Sequence, residues 1–538
     1  MTARRRWFGL VFISIAVSLI IVDSTIVNVA IPSIVDDLGI SSTQVQWVQE
    51  SYTLVFAALL IVFGTLADRF GRRRMMTVGV VVFVLSSLLA ALAPNGELLI
   101  AARVVQGIGG AMVLPTTLSL INATFRGRDR AVAFAVWGST IGGMAALGPL
   151  LGGWLTTDFS WRWAFGINLP LGAIAVIGAM VAVQESKEAD AGRVDIVGAI
   201  LSVLTAGSLV FGLIEGRTYG WWLAKDGAAF GDWTWPLGLS PIPLVFALTL
   251  VAGVLFVAWG LRRQKRGQSA MIAFSLFRLA SFRNGNIAAL VVSLGELGMI
   301  FSLPLWLQNV LGYSALQAGL MLVALASGSF VSSGLVHPLS QRMSAVAVVR
   351  IGLACEIVGV LGIGFFVAYD TPWYAVVPSL FVYGIGIGFA TAQLTGVILR
   401  DVPVERSGQA SGTQSTARQV GSALGIAILG TILFTGLGNQ FDSRLDARGL
   451  PAAQREQVVT AVVDSSGAAI PSLAKSERTR PLVRDAKIAF SDATKFAAFS
   501  AAGFLTLGFL ATLSLGPARD ERSAEREPTA RVTGASSS

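Results

Sequence analysis

The chain has 538 residues, of which 54% are hydrophobic and only 13% charged, with a mean hydropathy of +0.69, the reverse of the balance that keeps a soluble domain in water. A single cysteine, Cys355, and a single histidine, His337, exclude a disulfide framework, a CxxC metal site and the His-based zinc, haem and nucleophile chemistries, so neither an enzyme nor a bound metal is expected. The formal charge of +9 would raise nucleic acid as a partner in a soluble protein, but here the basic residues sit in short loops between apolar runs and no nucleic acid is expected.

Those apolar runs have the length that crosses a bilayer core of ~30 Å. Fourteen are read, at 7–31, 48–66, 77–93, 98–121, 131–155, 163–183, 195–215, 240–261, 284–309, 316–337, 347–368, 373–399, 408–436 and 494–516, which makes the chain an all-α polytopic membrane protein. An even number puts both termini on one side. Arg4–Arg6, Arg69, Arg72–Arg74, Arg126, Arg128, Arg130, Arg262, Arg263, Lys265 and Arg266 lie in loops of that side, whereas 32–47, 94–97 and 310–315 carry no Lys or Arg. By the positive-inside rule the termini are cytoplasmic in a multi-pass protein of the cell membrane. The first span holds Asp23 and lacks a small-residue cleavage site, so it reads as a retained helix and not a signal peptide.

Asp23, in that span, lies past the midplane and ~12 Å below the outer end at Pro32, taking ~1.5 Å per residue. A charge in hydrocarbon costs several kcal/mol unless it is paired or faces a cavity, so an acid at that depth is expected to carry a proton in from outside and release it inside; a structural cap on Thr25 or Asn28 is the alternative. Glu50 sits one turn inside the outer end of the second span, in the same depth layer, as an interfacial group or a cation-attracting entrance. At the end of that span, Gly64-Thr-Leu-Ala-Asp68-Arg69-Phe-Gly71-Arg72 places Asp68 at the cytoplasmic surface. There it can cap helix ends of the other half and pair with arginines, a latch and not a binding residue. Arg103 enters the fourth span by ~8 Å and reaches nearly the depth of Asp23, where a cation can bias that carboxylate. In the fifth span, Gly138, Gly142, Gly143, Gly148, Gly152 and Gly153 allow close backbone approach, and Pro149 removes a ladder bond, so Gly148-Pro149 marks a hinge or tight lobe contact.

The segment Gly64–Arg72 has a counterpart in Gly334–Arg342, 270 residues on, and the basic turn at Arg130 has one at Arg406, 276 residues on. Two halves of six spans are implied, with spans seven and eight as an inserted pair. The domains are then 1–183, an N-terminal six-helix lobe; 184–283, a linker with the two inserted helices; 284–516, a C-terminal six-helix lobe; and 517–538, a cytoplasmic polar tail. Residues 437–493 form a long polar extracytoplasmic loop in which Val458–Val463 can make a short surface helix, with disorder an equal alternative. Glu296 falls near the midplane of the ninth span, equivalent to the first. It is expected to flank the central cavity with Asp23, as a substrate or second proton site, with Trp306, Gln308 and Phe301 as aromatic and amide surface for lipophilic cations. Arg418 is an intramembrane cation in need of a partner. Glu215 and His337, near span ends, are expected to be solvated.

Gly64-x-x-x-Asp68-Arg69-x-Gly71-Arg72-Arg73 resembles the loop signature of the major facilitator superfamily, and Arg103-x-x-Gln106-Gly107-x-Gly109 its fourth-helix signature. Gly148-Pro149-x-x-Gly152-Gly153 resembles the fifth-helix signature of its antiporters. Asp23-x-Thr25-Ile26-Val27-Asn28 and Trp161-Arg162-Trp163-x-Phe165-x-Ile167-Asn168-x-Pro170 narrow the resemblance to the fourteen-helix drug:proton antiporters, although Pro338 stands where the second copy of the loop signature would have its acid. The resemblance implies the major facilitator fold and proton-coupled efflux of lipophilic, cationic or otherwise amphipathic compounds by alternating access. It also makes the helix of Glu356 peripheral, so that this acid is either paired within its lobe or functional. Expected partners are protons, hydrophobic or cationic small molecules and membrane lipids, around a monomer. No GxxxxGK loop appears, so the proton gradient and not ATP is the expected energy source, with no cofactor. A lipid or lipid-like exporter on the same engine is the alternative; a non-transporting sensor would need no buried acid.

Overall fold

The computed structural model describes residues 3–188, 194–225, 229–230, 233–477 and 479–516. The tail 517–538 and the side chain of His337 lie outside the described residues. Within them are 14 helices long and apolar enough to cross a membrane.

The N-terminal half runs α1 (Ala3–Leu38), α2 (Ser42–Phe70), α3 (Arg72–Ala91), α4 (Gly96–Thr124), α5 (Gly127–Asp158), the short α6 (Arg162–Gly166) and α7 (Asn168–Ala182). The inserted pair is α8 (Ile196–Tyr219) and α9 (Ile242–Lys265), with strands β1 (Ala229–Phe230) and β2 (Trp233–Thr234) in the turn between them. The second half runs α10 (Ala280–Asn309), α11 (Ala315–Ser340), α12 (Ala345–Phe366), α13 (Trp373–Leu399), α14 (Ser407–Ala447), α15 (Ala452–Asp464), α16 (Ile470–Leu473) and α17 (Leu482–Thr512). Helix starts follow local chemistry. Ser41 and Gln44 form a capping box before α2, and Ser314 and Gln317 form the same box before α11, so the repeat extends to the caps that satisfy the first free amides.

Packing repeats as well. α1 packs on α5 and α7, as α10 packs on α14 and α17; α2 and α3 pack on α4, as α11 and α12 pack on α13. Between the bundles, α2 lies against α14 and α5 against α11, a pair of seams related by the same repeat. The inserted α8 rests on α9, on α2 and on α14, outside one seam.

The region 437–493 departs from its reading as a long loop. α14 runs on to Ala447, and at ~1.5 Å per residue its 41 residues make it ~60 Å long, about twice the hydrocarbon thickness. α15 folds back on it, with Val462 fully buried, and Asn309 of α10 donates to the Ser466 carbonyl at 2.9 Å. Buried valines and a shared hydrogen bond turn the expected loop into a helical cap, with Val458–Val463 as its packed face.

Candidate functional site

Asp23 is fully buried and Arg103 is 2% exposed, and the two meet inside the N-terminal bundle with Arg103 Nη1 2.5 Å from Asp23 Oδ2. Asp23 Oδ1 accepts from Gln106 Nε2 at 2.7 Å and from Asn168 Nδ2 at 2.9 Å. Both amides also reach Ser87 Oγ of α3. Arg103 Nε donates to the Val48 carbonyl at 3.0 Å, and its guanidinium lies 4.2 Å from the centre of the Tyr52 ring. Five helices therefore converge on one carboxylate. Arg103 and Gln106 reach it together because residues three apart share a helix face. The capping alternative, in which Asp23 bonds to Thr25 or Asn28, is not what forms: Thr25 Oγ1 instead donates to the Ile21 and Val22 carbonyls.

The C-terminal bundle holds a second centre. Glu296, 2% exposed, receives Thr391 Oγ1 on Oε1 at 3.1 Å, and Arg418 Nη2 stands 3.5 Å from Oε2. The intramembrane arginine without a nameable partner in the sequence thus belongs to Glu296. Glu356 of α12, fully buried, meets the Glu296 carboxyl, and neither of its own oxygens has a protein donor. Tyr383 Oη donates to the Glu296 main-chain carbonyl at 3.0 Å. Each acid is buried among side chains of its own bundle.

Three further expectations change. Trp306 is fully buried and its indole N–H donates to Ser491 of α17 at 3.2 Å, so it packs the bundle and presents no aromatic surface to a ligand. Gln308, half-buried, stands 12 positions along α10 from Glu296, ~18 Å at helical rise, and lines no common site with it. Glu215 is 3% exposed, not solvated, and its carboxyl meets that of Glu50. The reason is the placement of α8: a span end that would face headgroups on an isolated helix is covered here by α2 and α14.

At the arginine-rich end, Asp68 and Arg72 are each 1% exposed. Arg72 donates through Nε and Nη2 to Asp68 Oδ1 at 2.9 and 2.6 Å, and Nη2 also reaches the Val404 carbonyl at 2.5 Å. Asp68 in turn accepts the Gly408 and Gln409 amides at 2.7 and 2.9 Å, capping α14 of the opposite bundle from outside its own chain segment. Asn122 to Ser407 at 2.8 Å and Gln393 to the Ala131 carbonyl at 3.0 Å close the same end. The approach is tight: a Cβ on Gly64 would stand 2.5 Å from the Gly408 carbonyl. Glu185, which no motif singled out, accepts the Arg73 and Arg74 amides and caps α3.

α5 ties the first centre to the seam. A Cβ on Gly148 would overlap Thr25 Oγ1 and lie 2.8 Å from Thr25 Cβ, two residues from Asp23, while one on Gly319 of α11 would lie 3.1 Å from the Leu150 amide and 3.4 Å from Pro149. The Gly-Pro step is therefore wedged between α1 of its own bundle and α11 of the other.

Gln106 and Asn168 complete the Asp23 centre and sit inside quoted motifs, so the spacing to Arg103 was the available signal for one and the Trp-Arg-Trp segment for the other. Thr391 and Tyr52 carried no signal, because a threonine and a tyrosine in apolar helices are ordinary packing residues.

The model of the Major Facilitator Superfamily matches residues 13–426. A protein described as a probable actinorhodin transporter of Streptomyces coelicolor is 35% identical over 453 residues, covering 82% of this chain and 75% of that one. The multidrug efflux pump LfrA of Mycolicibacterium smegmatis is 34% identical, with 87% of each chain covered. Among solved structures, that of the human organic anion transporter MFSD10 superposes with a TM-score of 0.59 at 13% identity, over 95% of this chain and 100% of that one, a likeness of fold.

Proposed function

The chain belongs to the Major Facilitator Superfamily, and on that premise we propose that it exports lipophilic, cationic or otherwise amphipathic compounds from the cell in exchange for protons. It is a multi-pass membrane transporter and not an enzyme. Its relatives described as multidrug efflux and antibiotic resistance proteins support drugs as the cargo class. The arginine-rich end is taken as cytoplasmic, by the positive-inside rule.

The observation that carries the reading is the buried Asp23–Arg103 pair. A carboxylate held by a guanidinium and two amides is stable as an ion pair; a proton arriving from outside neutralises Asp23, removes the attraction for Arg103 and leaves that cation in search of other acceptors. Gly148 of α5 is seated two residues from Asp23, so a change in the pair is felt where α5 meets α11. Release of the Asp68 contacts then opens the cytoplasmic end, the proton leaves, and cargo enters. Glu296, with Arg418 on one side and Glu356 on the other, supplies a carboxyl in the opposite lobe for a cationic cargo or a second proton. Proton movement down its gradient is the energy source, and no cofactor enters.

Purified protein in liposomes with an imposed pH gradient tests the proposal when screened against cationic dyes, neutral antibiotics and lipids. Gradient-dependent movement of dyes or antibiotics is expected. Transport of lipids alone would replace drug export by the lipid-exporter reading, and movement indifferent to the gradient would remove the proton from the mechanism.

A further inference from the structure

The inserted helices have no counterpart in the two-fold repeat, and one acid on them is buried with no charge partner among the described residues. Glu215, near the end of α8 opposite the arginine-rich end, is 3% exposed, and its Oε2 has no donor. Its carboxyl faces that of Glu50 on α2, whose Oε2 likewise has none. Next to Glu215 the helix is packed by apolar side chains: Leu213 lies with Ala423 and Ala427 of α14 and with Phe246 of α9, and a Cβ on Gly216 would stand 2.4 Å from the Trp221 ring. Tyr219 is the third titratable group that faces the pair, and no basic side chain faces it among the described residues. Arg103 serves the other side of α2, through Val48 and Tyr52, which are four residues apart on one face, while Glu50 lies between them on the opposite face.

Two carboxylates in contact at a packed helix interface repel strongly, and among the described residues no basic side chain offsets both charges. One proton placed between them converts the repulsion into a charge-assisted O–H···O hydrogen bond. We propose that Glu50 and Glu215 form a proton-binding site separate from Asp23, in which one exchangeable proton is shared between the two carboxyls and fastens the inserted helix α8 to α2. Because α8 also rests on α14, the site bears on the seam between the two lobes. With the proton bound, α8 moves with α2; without it, the contact opens at that end.

Two measurements on the full-length protein in lipid nanodiscs test this. Infrared difference spectra at neutral pH count protonated buried carboxyls, and the Glu50→Gln/Glu215→Gln double variant is expected to lack one relative to wild type. A deficit of two would mean separately protonated acids, and no deficit would mean a pair without a proton; either overturns the proposal. Spin labels at Gln46→Cys on α2 and at the exposed Trp222→Cys just beyond the end of α8, in a Cys355→Ser background, read the clamp. Raising the pH until the shared carboxyl signal is lost is expected to broaden and lengthen the distance distribution in otherwise wild-type protein. In Glu215→Gln, whose amide donates permanently to Glu50, the distribution is expected to stay short at every pH. The same broadening in Glu215→Gln, or none in the parent, would overturn the clamp. Neither readout requires transport, so the result stands apart from the export reading.

Discussion

Replacing Asp23 by asparagine removes the charge that Arg103 was folded around and leaves a guanidinium 2% exposed in the bundle interior. Breaking a buried pair from one side costs about 3–5 kcal/mol. Asp23→Asn is therefore expected to lower the thermal midpoint in detergent as well as to abolish uphill export, and Asp23→Asn/Arg103→Gln to recover most of the stability and none of the coupling. Uphill export by either variant would remove Asp23 from the coupling role. For Glu296, the neutral Glu296→Gln is expected to weaken export of permanently charged dyes several-fold more than that of neutral compounds, read as initial rates for the two classes side by side. Equal losses would reassign it to proton or structural work. At this scale the sequence was legible where a charge stood in an apolar run: Asp23, Arg103, Glu296, Glu356 and Arg418 all announce themselves by their cost in hydrocarbon. It was illegible where the partner was an ordinary polar residue, as with Thr391, or where burial came from another helix, as with Glu215 and Trp306.

Among elements, α2, α5 and α14 carry the inter-lobe contacts that must break and re-form. Asp68 accepts two hydrogen bonds from α14 amides, which exist only when the arginine-rich end is closed, while Arg72 holds the carboxylate from within its own bundle. Losing even ~1.4 kcal/mol of that set shifts a two-state equilibrium about ten-fold. Asp68→Asn is expected to populate longer distances between spin labels across that end and to lower turnover, with affinity for cargo offered from the cytoplasmic side unchanged or slightly tighter. Unchanged distances together with weaker binding would overturn the latch. On α5, Gly148→Ala places a methyl against Thr25 and is expected to lower both the thermal midpoint and the transport rate, with Thr25→Ala giving partial rescue, since the overlap is chiefly with the threonine hydroxyl. Failure of Thr25→Ala to rescue either property would place the strain elsewhere. Helix number and approximate ends were readable from apolar length, and a short helix at Val458–Val463 was one of two readings, but its packing as a cap and the extension of α14 were not, because both are amphipathic or polar and gain their stability from tertiary burial.

For the whole molecule, the repeat visible in Gly64–Arg72 and Gly334–Arg342 became two bundles packed by the same rule, with the inserted pair outside one seam. What a linear sequence does not contain is which conformation prevails, since that depends on cross-lobe contacts between residues more than 300 positions apart, such as Asp68 and Gly408. The central claim, that cargo and proton move in opposite directions through one molecule, has a direct test. Liposomes holding the purified protein and an interior pH dye are given a cargo gradient and no initial pH gradient. Cargo flowing outward is expected to drive protons inward and acidify the interior, and Asp23→Asn liposomes are expected to show no acidification. Cargo that equilibrates in the wild-type protein with the interior pH unmoved would contradict antiport.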